Sequence, residues 1–407
     1  DRSVSRGLGD VYKRQGYTGD GQVFALTGAY NFNTDAFWKN FLRDLELGQL
    51  DNTEGYVCAT VPQTGPAGIG FISMLGWGNA VTILPEMMYR QFGDEEALPR
   101  QYESMKLFVE AEIRKMGKKN LWIGPSLGDW LAMGKGIAWQ AMHNNPVSNA
   151  FIVHDLKVIS ETAERLGKRE DAARYRRQLA ATTDAYIKKF VSKNGIVAKD
   201  YQSAYIMALK FVLPEGELRE MVKKNFVANI RKNGLQTGFF ATEHLLPLLV
   251  EAGEQKLAYD VLLQENCPGW MYQVKCGATT TWERWDALKP DGTVNEEKMA
   301  GSGENMVSFN HYAFGSVGEF YYQYILGIRP EKPGFAKLHF APYPDERLGG
   351  VSGSYLSVAG KIESAWRYEP DGCHIRLATP VEAVVLLPDG RSENVPAGTY
   401  EWTVKRP

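Results

Sequence analysis

The stretch YILGIRP, residues 324–330, divides the sequence into a helical part and a strand-forming part. Before it, apolar residues recur at intervals of three, four and seven, as they do along one face of a helix. After it the interval changes to two, as in strands whose side chains point alternately inward and outward. We therefore expect a helical domain over residues 16–329 and a β domain over residues 330–407.

Three predicted helices of the first part share one ending, a glycine placed after the last apolar residue. Glycine can adopt the left-handed conformation that closes a helix. The apolar stripes with their glycines are 102–116 with Gly117, 152–163 with Gly167, and 245–252 with Gly253. No strand pattern separates these helices, which favours helices packed on helices over a parallel βαβ sheet.

The second part has the turns and spacing of a small antiparallel β-sandwich. Two Pro-Asp-Gly turns, Pro370–Gly372 and Pro388–Gly390, separate short alternating runs. Tyr355, Trp366 and Trp402 fall at strand spacing that suits a core. We expect this domain to cover the helical domain rather than to bind a glycan, and we expect no catalysis there.

Composition excludes several classes of function. Hydrophobic residues make up 44% of the 407 residues and charged residues 23%, as in an ordinary globular protein. The 46 Lys and Arg residues nearly balance the 48 Asp and Glu residues, which argues against a nucleic-acid partner. There is no apolar run of about 18 residues, so we expect no membrane partner. The four cysteines and six histidines lack metal-binding spacing, and we expect no metal and no cofactor.

The first candidate for chemistry is Glu283, which lies in an acidic and aromatic segment, TWERWD. Its neighbours Trp282 and Trp285 could pack against the C–H groups of a sugar while the carboxylate takes a proton. Arg284 would keep that carboxylate ionised, as a general base requires. The alternative is a capping box, in which Thr280 and Glu283 only satisfy backbone groups at the start of a helix.

Other candidates pair carboxylates or histidine with aromatic residues. Asp129 lies beside Trp130, and Asp20 precedes an expected helix that begins at Gln22. Both aspartates could equally be helix caps. Trp77 lies between two glycines, and His311 lies in an aromatic run where it could simply be a hydrogen-bonded core residue. Carbohydrate is the ligand that best explains acidic and aromatic residues together on loops between helices.

Read together, these segments resemble a known family. The motifs occur in the order GYTGDGQVF (16–24), GWGNA (76–80), LGDWLA (127–132), TGFFATEHLLPLL (237–249), ATTTWERWDAL (278–288) and SFNHYAFGSVGEFYYQYILGI (308–328). They resemble the inverting α-L-rhamnosidases, glycoside hydrolases with an (α/α)6 barrel and a C-terminal β-sandwich. This ordered set is far more specific than any one motif.

The resemblance implies a mainly α fold, an (α/α)6 barrel lacking its first helices and followed by a small antiparallel β-sandwich. It implies a glycosidase that acts on a rhamnose-containing glycoside or oligosaccharide and releases terminal α-L-rhamnose with inversion. Glu283 resembles the general base that activates water on the face opposite the leaving group. The substrate-binding residues that we expect are Tyr17, Asp20, Trp77, Asp129, Trp130, Trp282 and His311.

The sequence departs from the family where the general acid is expected. That acid lies in a stretch like DERLGWTGD, four residues before the aromatic position that is Tyr17 here, and the corresponding residue is Lys13. Lysine, with a pKa of about 10.4, is a poor proton donor at neutral pH. Residues 1–15, DRSVSRGLGDVYKRQ, resemble translated sequencing-adapter text at the ends of assembled metagenomic genes. We expect them to be a non-native leader, with the native acid upstream.

Two other functions fit the same residues. An inverting glycosidase of the same fold could act on another sugar, because fold alone does not fix the substrate. If Lys13 is native, the chain could instead be a sugar-binding pseudoenzyme that has lost catalysis. The sequence leaves the compartment open, with cytoplasm and periplasm both compatible.

Overall fold

The computed structural model describes residues 16–52, 54–63, 75–124, 126–136, 139, 142–143, 145–296 and 307–405. The chain divides into two compact units. The first contains the stretch that ends at Phe24 together with Asn40–Ile83 and Pro99–Ser316, and the second contains Ala25–Lys39, Leu84–Leu98 and Val317–Pro407.

The chain is mainly helical as far as Ile325, and the prediction for this part is confirmed. In the described residues before Ile328, β-structure is limited to isolated bridges. The helices are α1 (Thr18–Asn31), α2 (Asp35–Leu50), α3 (Ala80–Phe92), α4 (Ala97–Met116), α5 (Asn145–Arg165), α6 (Arg169–Phe190), α7 (Gln202–Met207), α8 (Glu217–Asn233), α9 (Phe239–Glu251), α10 (Gln255–Leu262), α11 (Trp270–Lys275) and α12 (Gly318–Phe320). Helical turns of other pitch adjoin three of them: Gly117–Lys119 after α4, Ala208–Val212 after α7, and Ala313–Val317 and Tyr321–Ile325 on either side of α12.

The predicted glycine endings of α4, α5 and α9 are also confirmed. Gly117, Gly167 and Gly253 have φ angles of 54°, 70° and 78°, in the left-handed region. At the end of α9, the Glu254 N–H donates to the Leu249 carbonyl at 2.8 Å, which closes the last turn.

Replacing Gly253 by alanine should destabilise the protein. No atom lies within 4 Å of the added methyl group, so the cost is that of a left-handed alanine, about 1–2 kcal/mol. The control is Gly48→Ala inside α2, where alanine is the better helix former and meets Cys58 Sγ at an ordinary 3.5 Å. We expect that variant to be stabilised by about 0.5–1 kcal/mol. Urea unfolding of both variants measures the difference, and equal effects would contradict this account of the helix end.

The C-terminal part forms two four-stranded sheets within the second unit. The strands are β1 (Ile328–Lys332), β2 (Lys337–Phe340), β3 (Gly350–Ser357), β4 (Gly360–Glu369), β5 (Gly372–Thr379), β6 (Ala383–Leu386), β7 (Ser392–Val395) and β8 (Gly398–Val404). One sheet has the order β1-β2-β6-β7 and the other β3-β4-β5-β8. Phe340 of the first sheet stacks on Trp402 of the second, with ring centroids 6.2 Å apart.

One strand pair differs from the expected antiparallel pattern. β2 and β6 run parallel, with Leu338 opposite Ala383 and Phe340 opposite Val385. A parallel pair needs a long crossover instead of a tight turn. The chain between β2 and β6 supplies it by forming β3, β4 and β5 of the other sheet. Alternation of side chains along each strand cannot distinguish the two directions.

Helix α4 carries a carboxyl group into the interior. Glu112 is 0% exposed, and neither of its oxygens has a hydrogen-bond partner among the described residues. Burial raises the pKa of Glu112 to about 8, against the opposing charge of Lys115 and with a contribution from Asp155. At neutral pH the folded protein therefore holds this carboxyl group in its neutral form.

Glu112 should make the free energy of unfolding fall as pH rises from about 4.5 to about 8. Over that range the folded protein keeps a proton that the unfolded chain releases, so its stability decreases by up to about 1.4 kcal/mol per pH unit. Glu112→Gln removes this titration and should flatten the profile. Urea unfolding across the range checks this, with the exposed Glu161→Gln as control. An unchanged slope in Glu112→Gln would contradict the assignment.

Among the described residues, no helix combines the length and the apolar character needed to cross a bilayer.

Candidate active site

Glu283 lies in a loop that is held by backbone bonds to a second loop. Its N–H donates to the Ser308 carbonyl, and the His311 N–H donates to the Thr281 carbonyl, both at 2.9 Å. These two bonds place Glu283 and His311 on adjoining segments. The side chain of Glu283 is fully buried, so its charge interacts in a medium of low dielectric.

The capping-box interpretation of Glu283 is wrong. Residues 279–287 form bends and turns, and no helix begins there. The Thr280 hydroxyl, which would cap such a helix, donates instead to the Phe309 carbonyl at 2.6 Å. The loop is therefore shaped by the segment 308–311 and not by a helix of its own.

The two indoles beside Glu283 are buried and pack against other aromatic side chains. Trp285 is 0% exposed and stacks on Phe314 with centroids 4.0 Å apart. Trp282 is 3% exposed and lies edge-on to Tyr272 and Phe309. These contacts hold the loop in place around Glu283.

Arg284 pairs with Asp286 in the turn that follows Glu283. Its Nε donates to Asp286 Oδ1 at 3.0 Å, and Asn295 donates to the other oxygen of Asp286 at 2.8 Å. The guanidinium therefore compensates the charge of Asp286 and fixes the turn that follows Glu283.

His311 connects the second loop to the start of α1. Its Nε2 lies 3.4 Å from Asp20 Oδ2, and both residues are buried. The Nδ1 atom accepts from the Ala313 N–H at 3.2 Å. In the neutral ring the proton is therefore on Nε2, facing Asp20. The contact orients the carboxylate of Asp20. His311 therefore has a defined polar partner in addition to the core position that the sequence allowed for it.

Helix α1 begins earlier than expected, at Thr18, which puts Asp20 in its first turn instead of before it. Gly19, also in this turn, lies under the indole of Trp77. A methyl group on Gly19 would come within 2.2 Å of that ring. The glycine is required because the Asp20 turn and the indole approach so closely.

Trp77 and Trp130 form an aromatic corner. Their ring centroids are 6.4 Å apart and the planes nearly perpendicular, at 87°. Trp77 donates from Nε1 to the Gly128 carbonyl at 3.2 Å, which fixes its orientation. Trp77 is half-buried, whereas Trp130 is only 7% exposed. Trp77 therefore offers more surface to a ligand.

Phe239, at the start of α9, joins this corner to His311. Its N–H donates to the Trp130 carbonyl at 3.0 Å, and its ring lies 5.0 Å from that of His311 and 6.3 Å from that of Trp77. The contacts thus form a closed series from His311 to Asp20, from the neighbouring Gly19 to Trp77, and through Trp130 and Phe239 back to His311. Sequence reasoning missed this role of Phe239, since one Phe within an apolar helix is indistinguishable from a core residue.

Asp129 caps a helix, the alternative that the sequence left open. Its two oxygens accept from the Gly238, Phe240 and Ala241 N–H groups at 2.7, 2.7 and 3.1 Å, at the start of α9. The side chain is 0% exposed. Burial raises the pKa of Asp129, and hydrogen bonds from Ser203 and the three amides oppose the rise. Asp129 thus positions Phe239 and does not face a ligand.

Two tyrosines border the Asp20 end of the site. Tyr17 is half-buried and forms an isolated antiparallel bridge with Thr60. Burial, and then the charge of Asp20, raises the pKa of Tyr17. Tyr312 stacks on His311 at 5.5 Å and is 38% exposed. Sequence reasoning missed Tyr312, for which its position directly after His311 was the available signal. Lys13 lies outside the described residues.

The site residues do not provide a metal centre within the described part of the chain. No three donors from Asp20, Glu283 and their neighbours lie close enough together to share an ion.

Comparison with known proteins identifies the family. The model of the bacterial alpha-L-rhamnosidase 6 hairpin glycosidase domain matches residues 9–325, and that of the bacterial alpha-L-rhamnosidase C-terminal domain matches residues 327–400. The chain belongs to the bacterial alpha-L-rhamnosidase family. The prediction made from the ordered motifs is confirmed at this level, as is the six-hairpin helical domain followed by β-sheets.

Curated relatives and solved structures agree. The chain is 33% identical to an alpha-L-rhamnosidase of Alteromonas sp. (strain LOR) over 377 residues, 90% of this chain and 40% of the relative. An alpha-L-rhamnosidase of Streptomyces avermitilis is 32% identical and is covered to 36% of its length. The chain therefore spans about two fifths of these rhamnosidases.

Among solved structures, S. avermitilis alpha-L-rhamnosidase complexed with L-rhamnose has a TM-score of 0.87 at 30% identity, covering 96% of this chain and 38% of that one. The native rhamnosidase from Aspergillus terreus has a TM-score of 0.88 at 30% identity, covering 96% and 46%. At this similarity the rhamnosidase fold, the helical domain together with the C-terminal β-sheets, extends over nearly the whole chain.

Asp129→Asn should destabilise this rhamnosidase domain. In the variant, an NH2 group replaces one carboxylate oxygen and faces backbone N–H groups, which are also donors. At least one buried hydrogen bond to a charged acceptor is therefore lost, which should lower the free energy of unfolding by about 2–3 kcal/mol. Urea unfolding measures the effect, with Asp44→Asn on the exposed face of α2 as a control expected within about 0.5 kcal/mol. An equally small effect at both positions would rule out the helix cap as a major contributor.

Proposed function

We propose that the site of this chain hydrolyses terminal α-L-rhamnosides with inversion of configuration. The proposal is supported chiefly by one observation, the closed series of contacts that gathers the Glu283 loop, the His311–Asp20 pair and the Trp77–Trp130 corner. A carboxylate base, a polar pair and an aromatic face are three of the groups that hydrolysis of a sugar uses, beside a proton donor.

In this proposal Asp20 and His311 recognise the sugar hydroxyls. Asp20 accepts from hydroxyl groups, and His311 holds its carboxylate in one direction through the 3.4 Å contact. The half-buried indole of Trp77 packs against the apolar face of the ring. Rhamnose has a methyl group where many hexoses carry a hydroxymethyl group, so an aromatic corner suits it.

Glu283 is the proposed general base. It removes a proton from the water that attacks the anomeric carbon on the face opposite the leaving oxygen. Burial favours this role because neighbouring dipoles act strongly on the charge in a medium of low dielectric. A second carboxyl group about 6.5–9.5 Å away protonates the departing oxygen in an inverting enzyme. The position that corresponds to this acid in the sequence is Lys13.

Glu283→Gln should lower turnover of α-L-rhamnosyl fluoride by about 10²–10⁴-fold, because the amide cannot accept the proton of the attacking water. Fluoride departs without a proton donor, so this substrate reports on the base alone. Glu265→Gln, an exposed residue paired with Lys275, is the matched control and should retain full activity. Equal loss in both variants would remove the assignment of Glu283. Proton NMR of the first product should show β-L-rhamnose, and an α product would exclude inversion.

Activity should depend steeply on the leaving group. Lys13 is a weak acid at neutral pH, so a leaving group that needs protonation departs slowly. We expect the dinitrophenyl rhamnoside to react far faster than an alkyl rhamnoside, and Lys13→Glu to narrow that gap. If calorimetric titration shows that L-rhamnose binds, but no activated rhamnoside is turned over, the chain is better explained as the sugar-binding pseudoenzyme. Preference for another glycosyl fluoride would favour the related glycosidase.

A further inference from the structure

The aromatic face of the candidate site depends on a short turn that has little regular structure. Trp77 lies in the turn 75–79, immediately before α3. Gly76 has φ of 99°, a backbone conformation that other residues rarely adopt. A turn of this kind needs fixed partners on both sides if the indole is to stay in one orientation.

On one side the partners come from α1. The side-chain amide of Gln22 donates to the Gly76 carbonyl at 2.7 Å, and the Thr18 hydroxyl donates to the Trp77 carbonyl at 2.8 Å. These bonds fix the carbonyl groups of the turn. These two bonds do not involve the N–H groups of the turn or its connection to α3, which need other partners.

On the other side the partner is a buried carboxylate of α5. Asp155 is 0% exposed and accepts from the Asn79 side-chain amide and, at 2.5 Å, from the Thr82 hydroxyl. Asn79 in turn accepts from the Gly76 N–H through Oδ1, at 2.6 Å. The side chain of Asn79 therefore connects Asp155 to the backbone of the turn, because its NH2 group donates to Asp155 and its oxygen accepts from the Gly76 N–H.

The chemistry requires a carboxylate at this position. Two donors converge on Asp155, one on each oxygen, and an asparagine could accept from only one of them. Burial raises the pKa of Asp155, and the nearby His154 ring together with the hydrogen bonds from Thr82 and Asn79 opposes the rise. A buried carboxylate is expensive to maintain, and packing alone could be achieved by an apolar side chain.

We propose that Asp155 is a positioning residue of the sugar site, which holds Trp77 against the ligand through Asn79 and the Gly76 amide. It does not contact the substrate. The inference rests on the proposed function in one respect, that Trp77 forms a wall of the rhamnose site. The orientation of Trp77 itself can be tested without any ligand.

The experiment uses a reciprocal exchange of the two polar groups. Asp155→Asn loses one of its two accepted bonds, whereas the double variant Asn79→Asp with Asp155→Asn reverses the direction of the central bond and keeps the charge. In the double variant, the carboxylate introduced at position 79 still accepts from the Gly76 N–H. The control is Asp171→Asn, a carboxylate that accepts from Tyr102 and Lys106 between α4 and α6 and has no link to the turn.

Two measurements are made on each variant. The first is the fluorine NMR resonance of Trp77 in protein labelled with 5-fluorotryptophan, assigned with Trp77→Phe. The second is the dissociation constant for L-rhamnose by calorimetry, together with kcat and KM for rhamnosyl fluoride. We expect Asp155→Asn to shift or broaden the Trp77 resonance, to weaken rhamnose binding about tenfold and to raise KM more than it lowers kcat. The exchange should restore all three quantities.

The outcomes separate the two proposals. If Asp155→Asn leaves the Trp77 resonance unchanged, or changes it no more than Asp171→Asn does, the positioning inference is overturned whatever the ligand. If the resonance shifts and is restored by the exchange while the wild-type protein binds no rhamnose, the proposed function fails and the positioning of Trp77 stands. If Asp155→Asn does not fold, the exchange variant alone decides, because a misplaced Trp77 in a folded exchange variant contradicts the inference.

Discussion

The contact between His311 and Asp20 is the constraint on which the candidate site depends. These two residues lie at opposite ends of the helical sequence, and their side chains approach to 3.4 Å in a buried setting. His311 belongs to the loop pair that carries Glu283, and Asp20 belongs to the turn that supports Trp77. Together with Phe239, which packs against both His311 and Trp77, this contact gives the proposed base and the proposed sugar-binding wall a common frame.

Buried carboxyl groups in this chain have distinct roles because their partners differ. Backbone amides satisfy Asp129, which becomes a helix cap, and side chains satisfy Asp155, which becomes an anchor for a turn. Glu112 has no hydrogen-bond partner among the described residues and is held neutral by burial. Burial alone therefore does not identify a catalytic acid or base. Only the position of Glu283 next to the His311 segment singles it out.

Features of the fold that depend on residues close together in the chain could be predicted from the sequence. The helix ends at Gly167 and Gly253, and the change to strands after residue 327, follow from local periodicity and from the conformational freedom of glycine. Ordered motifs also indicated the family, since a set of short segments in one order is rarely shared by chance.

Contacts between distant segments were beyond sequence reasoning. Asp129 lies 109 residues from the first amide that it caps, so nothing in its neighbourhood indicated that partner. The edge-on contacts of Trp282 with Tyr272 and Phe309 likewise had no signal in the residues around Trp282. The parallel direction of β6 on β2 likewise depends on a crossover that alternation of side chains does not encode.

The most direct test of the account is a crystal structure of this chain with L-rhamnose bound. We expect the sugar to contact Asp20 and the indole of Trp77, with its anomeric carbon facing Glu283 across one water molecule. A sugar bound elsewhere, or bound with Glu283 on the same face as the leaving oxygen, would contradict the account.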